Sequence, residues 1–378
     1  MQSEISNSGW GQPPWTVSYR PVRHALPEST DFAIVGGGFS GLATAAWLGR
    51  IAPGKSVSVF ESGCIGAGSS GQTGGMVLAE TAAGDLPGLG DVLQGYANIL
   101  KELEIDCDLT LPGVWEIGRA ATLPKSSISW TDSGNLRAIR EVPGGSVDPG
   151  MAIDGLARAA ERNGARIFEN TPVENADFEN HPVRLSVPGG SVRAKSVLFA
   201  TNAMSLELSG HSQSAAPKFT LAVATEPLHS AQIQSLGLAD RRPFYTIDFP
   251  YLWGRLLRTG SIVFGAGLVH MEDWRELFRT NVAAGEAGEL IARLERRVSG
   301  LHPALHKVNF THRWGGPILI ANEWRPIFSR HPRCPQAIVL GGFSGHGVAQ
   351  SVYLGAWAAE ALCGRRALPD WKFAPDAT

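Results

Sequence analysis

The chain begins without any periodic pattern. Its first thirty or so residues mix Gly, Pro and Ser with isolated aromatics (Trp10, Trp15, Tyr19), which predicts an extended arm lying on the surface rather than a packed element. Apolar patterning starts abruptly at Asp31-Phe32-Ala33-Ile34-Val35, turns through Gly36-Gly37-Gly38-Phe39-Ser40-Gly41 and continues as the helix-prone LATAAWLGR. That is strand, glycine turn, helix. A second short apolar run, Val57-Ser58-Val59-Phe60, ends at Glu61 and closes a βαβ-like unit.

Further along, Asp148-Pro149 supplies a helix cap and a first-turn proline. Ile153, Leu156, Ala157 and Ala160 then share one face until Gly164 stops the helix. Residues 165–173 return as a strand, and 183–186 with Val192 form a hairpin around Pro188-Gly189-Gly190. Residues 197–200 read as a buried strand ending at Thr201-Asn202-Ala203. From about 209 to 307 the pattern changes to strands at 221–225, 252–257 and 262–265, then a helix carrying Leu290, Leu294 and Val298. Ala337-Ile338-Val339-Leu340 restores the buried-strand style, followed by Gly341-Gly342-Phe343-Ser344-Gly345-His346-Gly347 and a helix to about Cys363. The style of the first domain thus recurs at the far end of the chain.

Composition narrows the class. The 378 residues include 45 Gly, more than the ordinary share of roughly 7%, so tight backbone approaches are expected. With 33 Lys plus Arg against 35 Asp plus Glu, no global field recruits a polyanion, and nucleic acid is not an expected partner. Four cysteines (Cys64, Cys107, Cys334, Cys363) form neither a disulfide framework nor a CxxC pair, which favours a reducing compartment and argues against structural zinc; no metal is expected. The start lacks a basic, apolar leader, and nowhere do about 18 apolar residues run uninterrupted, so a cytoplasmic protein without a membrane span is expected. No repeat or block of like charge suggests a scaffold.

In Gly36-x-Gly38-x-x-Gly41 the first glycine permits the sharp turn, the second lets backbone approach a pyrophosphate, and the third packs helix on strand. The helix N-terminus, with Phe39 and Ser40, supplies an anion site. Glu61, followed by Ser62, is placed to accept from adenosine ribose hydroxyls and opposes a 2′-phosphate, which disfavours NADP. The alternative, glycines serving packing alone, leaves Glu61 at the end of the next strand unaccounted for. A second glycine run (Gly66, Gly68, Ser69, Ser70, Gly71, Gln72, Thr73, Gly74, Gly75, then Met76) offers amides and hydroxyls that can follow a cofactor longer than NAD; a flexible loop is its plainer reading.

These motifs resemble the D-amino-acid-oxidase-like family of FAD-dependent oxidoreductases, the group holding glycine oxidase, sarcosine oxidase and gamma-glutamylputrescine oxidoreductase. The resemblance covers most of residues 30 to 365. It rests on DFAIVGGGFSGLATAAWL, IGAGSSGQTGG, SVDPG with its helix, residues 197–203, Ala224-Thr225-Glu226-Pro227-Leu228 and VLGGFSGHGV. It implies a mixed α/β (α+β) chain in which a discontinuous Rossmann-like FAD-binding domain (30–80, 148–208, 308–366) carries an inserted antiparallel-sheet substrate domain (81–147, 209–307), flanked by the arm (1–29) and a tail (367–378). It further implies non-covalent FAD in an extended pose, contacted also by Val173, Thr201, Asn202, Gly342, Ser344, Gly345, His346, Gly347 and Val348. The helix after Gly347 can then stabilise negative charge at flavin N1 and O2.

In Asp248-Phe249-Pro250-Tyr251-Leu252-Trp253-Gly254-Arg255, alternation puts Tyr251, Trp253 and Arg255 on one strand face. The functional reading makes Tyr251 and Trp253 walls of the substrate cavity and Arg255 an anchor or gate; simple sheet packing is the alternative. Tyr251, Arg255 and His346 are the catalytic candidates, although in this family the main chain of such a histidine matters more than its ring.

Several departures from the family shape the expected substrate. Ala349, followed by Gln350, stands where sarcosine oxidase has a carboxylate-binding lysine. Gly316 stands where its flavin-linking cysteine lies, with Cys334 in a loop, and no lysine occurs between Lys218 and Lys307 to match its oxygen-activating one. Gln72-Thr73 replaces the Arg-Asn of the putrescine branch, and the segment 118–146 is shorter than in that branch. The expected chemistry is oxidation of an amine lacking an α-carboxylate, with hydride passing from its α-carbon to flavin N5, an imine left behind and O2 reduced to hydrogen peroxide. A dehydrogenase using another electron acceptor, a flavin-binding subunit without catalysis, and more distantly a nicotinamide dehydrogenase stand as alternatives. The oligomeric state is not legible.

Overall fold

The computed structural model describes residues 8–119, 126–179 and 181–371. Parts of the arm (1–7), of the 118–146 segment (120–125) and of the tail (372–378) lie outside the described residues.

Two eight-stranded sheets dominate. In the first, the run Cys334–Gly341, Gly190–Phe199, Ser29–Val35, Val57–Phe60 and Arg166–Phe168 is wholly parallel. Its central strands are buried along most of their length and read as near-continuous apolar runs, as parallel strands covered on both faces must. Ile327–His331 adds an antiparallel edge on one side, and the 183–187 hairpin strand rides on Gly190–Phe199. The helices Phe39–Ile51 and Gly347–Leu362 lie together on this sheet, so close that Thr44 Oγ1 donates to the Gly355 carbonyl at 2.8 Å. Pro149–Arg162 packs beside them, with the Asp148 carboxylate capping Met151 N.

The second sheet orders Phe310–Ala321, Ala215–Thr225, Ile262–His270, Trp253–Leu256, Phe244–Thr246, Val114–Gly118, Asn135–Val142 and Trp130–Thr131. It is antiparallel except where Phe244–Thr246 runs parallel to Val114–Gly118. Gly285–Leu301 covers it with Leu294 and Val298 buried. The segment 308–366 serves both layers, since Phe310–Ala321 pairs with Ala215–Thr225 before the chain returns to the parallel sheet. A two-stranded pair, Met76–Leu78 with Gly144–Ser146, links the layers.

Two expectations change. The arm is extended and none of residues 16–28 is buried, but two of its tryptophans are sunk into the body: Trp10 and Trp15 are 1% and 7% exposed, and each indole N–H finds a carbonyl there, Trp10 at Leu277 (2.7 Å) and Trp15 at Gly71 (2.8 Å). Cys334 opens a strand and is buried rather than lying in a loop. All four cysteines are free thiols. Among the described residues no helix is long and apolar enough to cross a membrane.

Candidate active site

Three glycine turns meet at the carboxyl ends of the parallel strands, where open α/β sheets bind ligands. The first is held by its own main chain: Gly36 N donates to the Phe60 carbonyl, and a β-carbon on Gly41 would sit 1.9 Å from the Gly36 oxygen. Only glycine allows that approach of helix to strand. Glu61 closes the turn from the neighbouring strand, its Oε2 accepting from Gly37 N at 2.7 Å and its Oε1 from Gly63 N at 2.8 Å and Ser62 Oγ at 3.1 Å. Desolvation draws the Glu61 carboxyl above its ordinary value, against the pull of those donors.

The second turn leans on the first. Gly66 N donates to the Gly37 carbonyl, Phe39 N donates to Ser70 Oγ at 2.9 Å, and Gly68 caps the one-turn helix Ser69–Gln72. The third joins through one side chain. Asn202 Nδ2 donates to Ser69 Oγ at 2.9 Å, while its Oδ1 accepts from Gly342 N at 3.1 Å. Residues 133 and 140 positions apart in sequence are thereby brought together. Ser344 donates within that turn, to the Gly342 carbonyl, and accepts from Ala321 N. His346 precedes the helix Gly347–Leu362, on which Val348 is buried. Burial lowers the His346 ring below its ordinary value, so the imidazole is neutral at neutral pH. Val173 is buried beside Phe60 and Phe168, two residues after Thr171, whose N–H donates to the Glu61 carbonyl at 2.8 Å.

The convergence leaves buried acceptors and donors without protein partners. Gln72 Oε1, Thr201 Oγ1 and His346 Nδ1 are all buried and unpaired among the described residues, and all three border the turns. Buried polar atoms of this kind ordinarily have partners, so the residues present fit a ligand that is itself rich in hydrogen-bonding atoms. Main-chain amides, hydroxyls and a helix N-terminus are the donor set that such a dinucleotide needs.

The facing wall comes from the second sheet. Trp253 inserts its indole between two glycines: a β-carbon on Gly74 would lie 2.1 Å from its Cζ3, and one on Gly265 2.0 Å from its Cζ2. It packs with Met76 and Tyr245, the latter its cross-strand partner. The Tyr245 hydroxyl donates to Glu116 Oε1 at 2.6 Å, and Arg140 grips the same carboxylate with two donors at 2.6 Å. Arg140 holds the Glu116 carboxyl below its usual range, while burial and then Glu116 drive the Tyr245 phenol upward.

Tyr251, expected as a wall, keeps its ring 6.4 Å from that of Tyr245 but lies off the strand, and Arg255, expected as an anchor or gate, is covered. Tyr251 is not on the strand, which spans Trp253–Leu256; it is 41% exposed, and Arg297, paired with Asp132 at 2.6 Å, donates to the carbonyls of Pro250 and Tyr251. Arg255 does share a face with Trp253, but that face is covered. It is 6% exposed, its Nε donates to the Gly74 carbonyl, and its guanidinium lies 5.6 Å from the Trp15 ring centroid. Ala349 is buried in the core of the parallel-sheet domain, and the Gln350 amide donates to the Glu80 carbonyl at 2.7 Å. Gly316 abuts Gln72, with room for no β-carbon.

Sequence reasoning missed Trp15, Trp314, Tyr245 and Glu116. Tyr245 carried a detectable signal, since Phe-Tyr-Thr alternates before the Asp248 loop. Glu116 carried a fainter one, a lone carboxylate inside the apolar run Val-Trp-Glu-Ile.

Fold and cradle together define a mixed α/β protein with a dinucleotide-type cradle. The chain matches the FAD dependent oxidoreductase family (DAO) over residues 31–361 and belongs to it; FAD is its cofactor. Among curated relatives, a probable oxidoreductase OrdL of Rhizobium meliloti is 27% identical, with 96% of this chain and 90% of the relative covered. Glycine oxidase of Bacillus licheniformis is 24% identical, with 90% and 95% covered. The solved structure of glycine oxidase from Geobacillus kaustophilus superposes with a TM-score of 0.71 at 20% identity, covering 90% of this chain and 96% of that one. L-Amino acid deaminase from Proteus myxofaciens gives 0.72 at 16% identity, with 94% of each chain covered.

Proposed function

We propose that this oxidoreductase dehydrogenates the carbon–nitrogen bond of an amine that lacks an α-carboxylate, with non-covalently held FAD. The observation that carries this reading is the disposition of Arg255: the cation that the sequence offered on the substrate wall is spent on the Gly74 carbonyl and the Trp15 ring. Ala349, buried in the core, supplies no charge in its place. Trp253, Met76 and Tyr245 instead pack into an apolar, aromatic cluster whose polar end is the Tyr245 hydroxyl on the Arg140-paired Glu116 carboxylate.

Bound FAD supplies the two-electron acceptor and the protein supplies alignment. Desolvation against the aromatic wall favours the neutral amine, so the chain need not present a side-chain base. The neutral His346 ring marks the head of a helix whose amides face developing negative charge. Reoxidation by O2, giving hydrogen peroxide, is the preferred second half of the cycle, and a different electron acceptor is the rival.

The test is anaerobic mixing of the holoenzyme with diamines, N-acylated diamines and α-amino acids, followed by loss of the visible flavin band. The amines without an α-carboxylate are expected to bleach it fastest. Faster bleaching by α-amino acids overturns the substrate assignment. Admitting air to the reduced enzyme then separates the two acceptors.

A further inference from the structure

We propose that the N-terminal arm is part of the flavin site, acting through Trp15, which with Arg255 and Trp314 forms a clamp that sets the second glycine turn from behind. The inference rests on the FAD site described above and goes beyond it by assigning positioning residues remote from any cofactor motif.

Three buried donors seize three carbonyls within four residues of chain. Trp15 Nε1 donates to Gly71 at 2.8 Å, Trp314 Nε1 to Gln72 at 3.0 Å and Arg255 Nε to Gly74. They come from the arm and from two strands of the second sheet. The clamp is also one cluster: the two indoles meet edge to face, with centroids 5.5 Å apart and planes at 87°, and the guanidinium stands over Trp15. With the carbonyls of 71, 72 and 74 fixed on this side, the turn cannot rotate its peptide planes freely, and the orientation of its amides is set with them. Gln72 keeps a buried, unpaired Oε1.

The arm is anchored on both sides of Trp15, so the indole is not a casual contact. Upstream, Trp10 stacks on Phe278 and Gly11 bridges to Trp314; downstream, Ser18 and Tyr19 hydrogen-bond Asp154, and the Tyr19 hydroxyl reaches Glu161 on the helix Pro149–Arg162. The strap therefore runs from the second sheet, across the turn, to the parallel-sheet domain. Arg255 brings a charge as well as a hydrogen bond. Among the described residues no carboxylate forms an ion pair with it, and burial lowers it only to about 10, so it stays cationic at neutral pH.

The experiment compares purified holoenzyme carrying Trp15→Phe, Trp314→Phe, Arg255→Met or Arg255→Lys with the parent. FAD dissociation constants, flavin midpoint potentials and the melting temperatures of the FAD-stripped proteins are measured. Each Trp→Phe exchange keeps an aromatic ring and removes one N–H, and is expected to weaken FAD binding about tenfold. Arg255→Met is expected to lower the midpoint potential, with Arg255→Lys returning it toward the parent value. FAD affinity and potential unchanged in all four variants, with only the melting temperature lowered, overturns the clamp and leaves the arm a structural strap. Failure of the parent to bind FAD at all overturns the FAD reading itself, a separable result.

Discussion

The first and second glycine turns share one closing device and differ in what grips them from outside. The turn at 36–41 is shaped by its own glycines, by the strand before it, by Glu61 one strand away and by its contacts with Gly66 and Ser70 of the second turn. The turn at 66–75 closes in the same way, with Gly71 N donating to the Gly66 carbonyl, but it is gripped in addition by Trp15, Arg255 and Trp314, which lie up to 242 residues away. A short motif can encode the closure of a turn. A turn held from outside is encoded wherever its holders happen to lie, and the motif alone does not reveal them.

The comparison can be broken most decisively at Gly41. Gly41→Ala forces a β-carbon against the Gly36 oxygen, and a loss of about 3 kcal/mol is expected from overpacking with no side chain free to yield. Urea unfolding together with FAD content checks it, and near-parental stability contradicts the glycine closure of the first turn. Glu61→Gln is the next largest effect. It removes a charged acceptor from Gly37 N and Gly63 N, and FAD affinity is expected to fall roughly ten- to a hundredfold. A titration with FAD shows whether this exceeds the loss in Trp15→Phe, as the contrast between the turns requires.

The smallest effect lies in the third turn and reads out in pH. The folded His346 ring titrates below the ordinary value of 6.5, so as pH falls the unfolded chain takes up its proton first. The contribution of the neutral buried ring is complete above 6.5 and shrinks as pH drops below it. Replacing His346 by Gln should flatten the decline of melting temperature below that pH. An unchanged slope assigns the decline to other groups, His331 among them.

Much of the cofactor half was legible because its signals are local. Strand, glycine turn and helix follow one another at 31–51, Asp148-Pro149 announces its helix, and Ala337–Gly341 returns the chain to the parallel sheet. The substrate half was less legible because alternation tells which residues share a face and not what covers it. Trp253 and Arg255 do share one, but the Gly74 turn and Trp15 lie upon it, and Pro250 ends the alternation before Tyr251. The burial of the arm's tryptophans was illegible for a related reason. Isolated tryptophans have no period, and the carbonyls that bury them, Leu277 and Gly71, belong to other parts of the chain.

The order of the parallel sheet carries a practical corollary. Its adjacent strands are drawn from residues 334–341, 190–199, 29–35, 57–60 and 166–168, so no single cut between residues 36 and 333 leaves all five in one piece. A protease that nicks an exposed loop should leave fragments that remain associated and still yellow, whereas either fragment expressed alone should be colourless.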